Sequence, residues 1–143
     1  MENYKYLNIP EEDLEEIEKA LETLDKKLMP HLTLLTNEQR RFMPKVGINN
    51  QGFVRNAMEY AESYPELIPS FMEIKNMKRE HEKFKLFRSF FFTIETIRNG
   101  LKDSIMDAGN KLIKDSYFIY DNVKIAAKAK IKGAMSAYKE LKD

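Results

Sequence analysis

Apolar residues recur along this chain at spacings of three and four, the repeat that places side chains on one face of an α-helix. No stretch alternates apolar and polar residues between turn signals, so the pattern predicts no β-sheet. The first helix is expected from about Asn8–Pro10 to Met29, with one narrow apolar seam. The residues of that seam are Leu14, Ile17, Leu21, Leu24 and Leu28.

A compact corner is expected in residues 35–47, which read LTNEQRRFMPKVG. Thr36 and Gln39 have the spacing of a capping box, in which each side chain binds a backbone N–H of the other residue. One or two helical turns should follow. Because Pro44 lacks a backbone donor and disfavours helical backbone at Met43, those turns should end there.

Two longer helical patterns come next in the chain. One is expected between Asn49 and Pro65, because proline stops a regular helix. The other should run from about Ile74 to Ala108, since its apolar repeat keeps the same phase on both sides of Asn99-Gly100.

We expect the chain to reverse at Gly109-Asn110, because glycine suits the residue after a helix and asparagine suits the next cap. A fourth helix and a short one over Ala134–Leu141 follow, separated by Gly133. Short links return each helix beside its predecessor. The predicted fold is therefore an all-α, antiparallel (up-down-up-down) four-helix bundle, with a short helix in the first crossover and a short C-terminal helix. It forms one domain of residues 1–143.

Composition limits the class of protein. The chain has 143 residues, a formal net charge of +1 and no cysteine, which excludes disulfides and thiolate chemistry. Residues 1–30 carry nine acids and four bases, whereas residues 98–143 carry ten bases and six acids. No apolar run approaches the ~20 residues of a membrane span. The N-terminus lacks the apolar segment of a secretory signal, so we expect a cytoplasmic protein with no membrane contact.

Several segments resemble a family of short, uncharacterised, all-helical bacterial proteins. They are LTNEQRRFMPKVG, FVRNAMEYAESYPELIPSFM, LKDSIMDAG and YDNVKIAAK, and the likeness extends over roughly residues 30–142. The resemblance implies an all-α bundle but transfers no activity, cofactor or partner. The sequence departs from the family pattern at His81, Asp121 and Lys132, where that pattern usually has Leu, Asn and Pro.

Enzyme chemistry has little support in the residues. A di-iron bundle needs Glu-x-x-His motifs, but Lys78 and Leu28 stand three residues before His81 and His31. The chain also lacks a glycine-framed serine and any glycine-rich phosphate loop. We therefore expect no catalytic residue, no metal and no cofactor, and we interpret His81 as a half-buried structural residue.

Three cations of the corner, Arg40, Arg41 and Lys45, allow two interpretations. They could hold an anion beside a helix terminus. Alternatively, they shape the crossing between two helices, with the arginines paired to glutamates of the first helix. Asp103 and Asp107, one turn apart, are interpreted as members of a solvated face.

Phe90, Phe91 and Phe92 point in three directions around one helix, so they cannot all lie on its main seam. Phe90 and Phe92 are therefore candidates for an exposed patch that binds a protein partner or a second copy. The leading hypothesis is a non-catalytic interaction or accessory protein. The alternative is a bundle that binds a small anionic or amphipathic ligand at the Arg40–Lys45 corner. Nucleic-acid contact through four C-terminal lysines ranks third, because the near-neutral charge argues against it. Those lysines are Lys124, Lys128, Lys130 and Lys132.

Overall fold

The computed structural model describes residues 4–143, and these residues form helices and connecting turns without a strand. The predicted all-α class is confirmed. Residues 1–3, which belong to the N-terminal stretch considered for a secretory signal, lie outside the described residues. The chain divides into two compact units, one ending at Gln51 and the other comprising Gly52–Asp143.

The first unit begins with α1, Glu11–Thr23, which confirms the predicted first helix. Three acids occupy its first turn, where the helix dipole favours negative charge. Beyond α1 the backbone widens into a π turn, Leu24–Leu28, and then tightens into a 3₁₀ turn, Met29–His31. Pro30 explains this ending, because proline cannot donate the hydrogen bond that a regular helix requires.

The second helix, α2, spans Asn37–Phe42, and its predicted capping box is confirmed. The Gln39 backbone N–H donates to the Thr36 hydroxyl over 3.1 Å, and the Thr36 N–H donates to the Gln39 side-chain oxygen over 2.9 Å. Met43 adopts extended backbone before Pro44, as the proline predicts.

Asn50 closes the corner by binding the backbone of Gly47 and of Lys45. Its side-chain oxygen accepts from the Gly47 N–H over 2.5 Å, while its amide donates to the Lys45 carbonyl over 2.9 Å. These bonds accompany the 3₁₀ turn Ile48–Asn50. Helix α3 follows directly, over Gln51–Ser63, and the helix predicted between Asn49 and Pro65 is confirmed.

After a 3₁₀ turn, Pro65–Leu67, the chain enters α4, which spans Ile74–Lys128 and contains 55 residues. At 1.5 Å per residue this helix is about 80 Å long. An ion pair between Lys78 and Glu62 links the start of α4 to the end of α3.

Helix α4 passes without a break through both glycine-containing pairs, Asn99-Gly100 and Gly109-Asn110. Its continuity at Asn99-Gly100 is confirmed, whereas the predicted reversal at Gly109-Asn110 is wrong. The apolar repeat explains the difference, since Ile105, Ala108 and Leu112 keep one phase across the second pair as well. Glycine inside a helix costs only about 1 kcal/mol relative to alanine, which propagation on both sides outweighs.

This continuity changes the architecture, because the third and fourth predicted helices are one element. The antiparallel four-helix bundle is therefore not confirmed. Helix α5, Ala134–Lys142, returns along the end of α4 and confirms the predicted short C-terminal helix. Gly133 makes this turn with φ +84°, a left-handed conformation that glycine adopts without a steric penalty.

Candidate interaction surface

The middle of α4 is exposed to solvent on every side. All 24 residues from 96 to 119 are exposed, and we refer to them as the central segment. They cover about 36 Å of helix at 1.5 Å per residue. The rest of α4 is less exposed to solvent, because half-buried residues occur toward both ends of the helix.

Apolar side chains in the central segment share one side of the helix, which we call the α4 stripe. Leu101, Ile105 and Leu112 are 58%, 70% and 68% exposed, respectively. Successive residues differ by about 100° around a helix, so spacings of three and four hold these side chains in line. The α4 stripe consists of Leu101, Ile105, Ala108, Leu112, Ser116 and Ile119.

Helix α5 covers the C-terminal end of α4. Ala127 and Ala134 are the buried residues within the described chain, and they lie where the two helices meet. The Tyr120 and Tyr138 rings stack there with centroids 5.9 Å apart. Partial burial and the neighbouring Tyr138 side chain raise the pKa of the Tyr120 hydroxyl. The packing of α5 against α4 therefore stops at the C-terminal end of the central segment.

The two predicted patch residues occupy different sides of α4. Phe90 is 41% exposed and lies four residues before Ile94, which follows the same helical phase as the α4 stripe. Phe92 is 58% exposed but lies two residues from Ile94, about 200° around the helix. The Arg88 guanidinium lies 5.5 Å from the centre of the Phe92 ring. Phe90 thus extends the apolar surface, whereas Phe92 does not.

The three corner cations each bind a neighbour rather than converge on one point. Arg40 donates to the Asn37 side-chain oxygen over 2.8 Å, and Lys45 donates to the Met43 carbonyl over 3.0 Å. Arg41 lies 5.5 Å from the centre of the Phe42 ring. Both arginines belong to the last turn of α2, where the helix dipole favours cations.

The alternative interpretation of the corner paired these arginines with glutamates of the first helix. Within residues 4–143, neither Arg40 nor Arg41 takes part in an ion pair. Their contacts are confined to the corner itself, where they accompany the end of α2.

His81 lies about six helical turns along α4 from the nearer of the acids Asp103 and Asp107. His81 is half-buried in the first part of α4, and Asp107 pairs with Lys111 over 2.8 Å on the exposed helix. Asp107 raises the pKa of Lys111 through that hydrogen bond and through its charge. Among the described residues, no three histidine or carboxylate side chains gather into a set that could hold a metal ion.

No helix within residues 4–143 combines the length and the apolar character that crossing a bilayer requires. A comparison of the chain with known protein families, curated proteins and solved structures gave no match. The α4 stripe is the surface that sequence reasoning missed. The signal for it was present, because Ile105, Ala108 and Leu112 continue one phase through the expected turn.

Proposed function

We propose that this chain is a non-catalytic, cytoplasmic interaction protein, and that a partner helix covers the α4 stripe in its working state. The observation that carries the proposal is the exposure of all residues from 96 to 119, including the apolar side chains of that stripe. Contiguous apolar surface of this kind marks sites of association in folded proteins.

Energetics support a covered state. Fully burying one leucine or isoleucine side chain stabilises a structure by about 1.5–3 kcal/mol. Leu101, Ile105, Leu112 and Ile119 all forgo most of that gain, because each is at least 58% exposed. Helices in proteins owe most of their stability to the packing of an apolar face, which the central segment does not obtain from its own unit.

The chemistry of the described residues points to binding rather than reaction. The corner cations are engaged by their neighbours, and the acids Asp103 and Asp107 face solvent. The resemblance to short helical bacterial proteins, which we also propose as kinship, adds no activity to this picture. A bundle completed by a partner helix would restore the four-helix arrangement that the sequence pattern predicts.

Native mass spectrometry of the protein isolated from cells that produce it tests this proposal. We expect the wild-type chain to be isolated from these cells as a defined complex, either with itself or with another protein. Ile105→Glu should release it, because the substitution places a charge in the middle of the α4 stripe.

Asn110→Glu is the matched control, since Asn110 lies about 200° around the helix from both Ala108 and Leu112. We expect this variant to retain the complex. A free wild-type monomer, or equal loss of the complex in both variants, would contradict the proposal.

A further inference from the structure

We infer that the partner which covers the central segment is a second copy of this chain. In this arrangement, which rests on the proposed function, the two α4 helices lie antiparallel about a two-fold axis beside Ala108 and Gly109. The central segment of each copy covers that of the other.

The middle of the α4 stripe, from Leu101 to Ser116, is symmetric about this point. In an antiparallel pair, residues face each other when their numbers add to a constant, here 217. Ile105 then faces Leu112 of the second copy, and Leu101 faces Ser116. The same rule pairs Ile94 with Val123, about four turns from the axis, whereas Ile119 meets Arg98. A two-fold interface requires this self-complementarity.

Small residues lie where the two helices would cross. Gly109 disfavours the helix relative to alanine, and a Cβ atom added to it meets nothing within 4 Å. The packing of the chain itself therefore gives no reason for glycine at this position. With Ala108 beside it, Gly109 permits the close approach of a second helix, which a larger side chain would prevent.

The charge distribution favours contact at the same place. Residues 101–119 contain three lysines and three aspartates, and none of these six belongs to the α4 stripe. By contrast, residues 74–95 carry six bases and three acids, and residues 122–143 carry six bases and two acids. Residues 101–116 of the two copies therefore meet without net repulsion and without burying a charge.

The position of α5 at the C-terminal end of α4 favours an antiparallel over a parallel arrangement of the two α4 helices. Helix α5 lies along the last turns of α4, so a parallel copy would bring the two α5 helices together at one end. In the antiparallel order, α5 instead lies beside Phe90 and Phe91 of the second copy. Met135 and Leu141 of α5 are 50% and 52% exposed and are available for that contact.

This order also completes a helical bundle at each end of the pair. There, α4 and α5 of one copy meet the first part of α4 of the other, to which the Lys78–Glu62 ion pair holds α3.

Disulfide cross-linking of introduced cysteines tests the arrangement without disturbing its charges. The chain has no cysteine of its own, so each introduced thiol is unique. We expect Ala108→Cys, beside the axis, to give a covalent dimer on oxidation. Leu101→Cys alone should remain uncross-linked, but an equimolar mixture of Leu101→Cys and Ser116→Cys chains should form the mixed dimer.

Asn110→Cys serves as the control on the far side of the helix and should give no dimer. If Leu101→Cys cross-links to itself as readily as Ala108→Cys does, the copies are parallel and the inference is wrong. If sedimentation shows that the wild-type chain is a helical monomer at every concentration, self-pairing is also wrong.

Native mass spectrometry distinguishes a failure of self-pairing from a failure of the proposed function. The purified chain could instead be a monomer, yet be isolated from cells bound to a different protein that Ile105→Glu releases. This result would show that self-pairing alone is wrong. Absence of any complex overturns both.

Discussion

The rings of Tyr120 and Tyr138 stack at 5.9 Å with their planes 18° apart, and this contact joins α5 to the end of α4. Ala127 of α4 and Ala134 of α5 are the two buried residues of the described chain. The stack therefore marks the boundary between the part of α4 that α5 covers and the part that α5 leaves exposed.

The first prediction concerns the pH dependence of this contact. Partial burial, Tyr138 and Asp121 raise the pKa of Tyr120 above its ordinary value of 10.0, so folding favours the protonated hydroxyl. The resulting stability is present below pH 10 and is lost as pH rises through the folded-state pKa. Thermal unfolding measured across this range should therefore show a decline that Tyr120→Phe reduces. Tyr117→Phe, on the exposed helix, is the control and should leave the decline unchanged.

The second prediction tests the continuity of α4. Gly109→Ala should raise the free energy of unfolding by up to about 1 kcal/mol in dilute solution, because Gly109 lies inside a helix. Urea unfolding measures this change. Destabilisation by Gly109→Ala at concentrations at which the two copies have dissociated would instead favour a reversal at this point.

Gly133→Ala is the matched comparison, with the opposite expected sign. Gly133 has φ +84°, a conformation that costs an alanine roughly 1–2 kcal/mol. This variant should therefore unfold at lower urea concentration than the wild-type chain.

The third prediction concerns the cap of α2. Thr36→Ala removes the acceptor of the Gln39 N–H and should destabilise the first unit by about 0.5–2 kcal/mol. Hydrogen exchange of the α2 amides should accelerate accordingly. Thr33→Ala, a nearby threonine outside the cap, should leave these amides unaffected, and equal acceleration in both variants would refute the capping role.

The fourth prediction separates Phe90 from Phe92. Phe90→Ser should weaken dimerisation, because Phe90 lies 40° around the helix from Ile94 and extends the apolar surface. Phe92→Ser should have little effect, since Phe92 lies on another side, beside Arg88. Sedimentation equilibrium compares the two dissociation constants. A larger effect of Phe92→Ser would place the interface on the side of α4 opposite Ile94 and contradict the proposed pairing.

The fifth prediction addresses the corner cations. Because Arg40, Arg41 and Lys45 bind separate neighbours, phosphate should change the melting temperature of the wild-type chain and of Arg41→Ala by the same amount. Thermal shift over a phosphate titration provides the measurement. Stabilisation that disappears in Arg41→Ala would instead establish the anion site that the sequence pattern allows.

Local features of the chain were predicted well, because local hydrogen bonds produce them. The Thr36–Gln39 capping box, the helix end before Pro44 and the turn at Gly133 all follow from residues within a few positions of one another. The same reasoning placed Phe90 and Phe92 on one exposed patch, although their helical positions separate them.

Gly109-Asn110 shows the limit of this reasoning. The pair has the composition of a turn, yet the apolar phase continues through it from Ala108 to Leu112. A turn signal and helix propagation compete at such a position, and packing over longer distances decides between them.

The sequence by itself determined the all-α class, the caps and the apolar phase of each helix, since these depend on backbone chemistry and side-chain periodicity. Only the tertiary structure decided that α4 is continuous over Ile74–Lys128 and that no other helix of the same unit covers the central segment. Periodicity specifies which side of a helix is apolar. Whether that side meets another helix of the chain depends on where the chain reverses, and local sequence does not determine this.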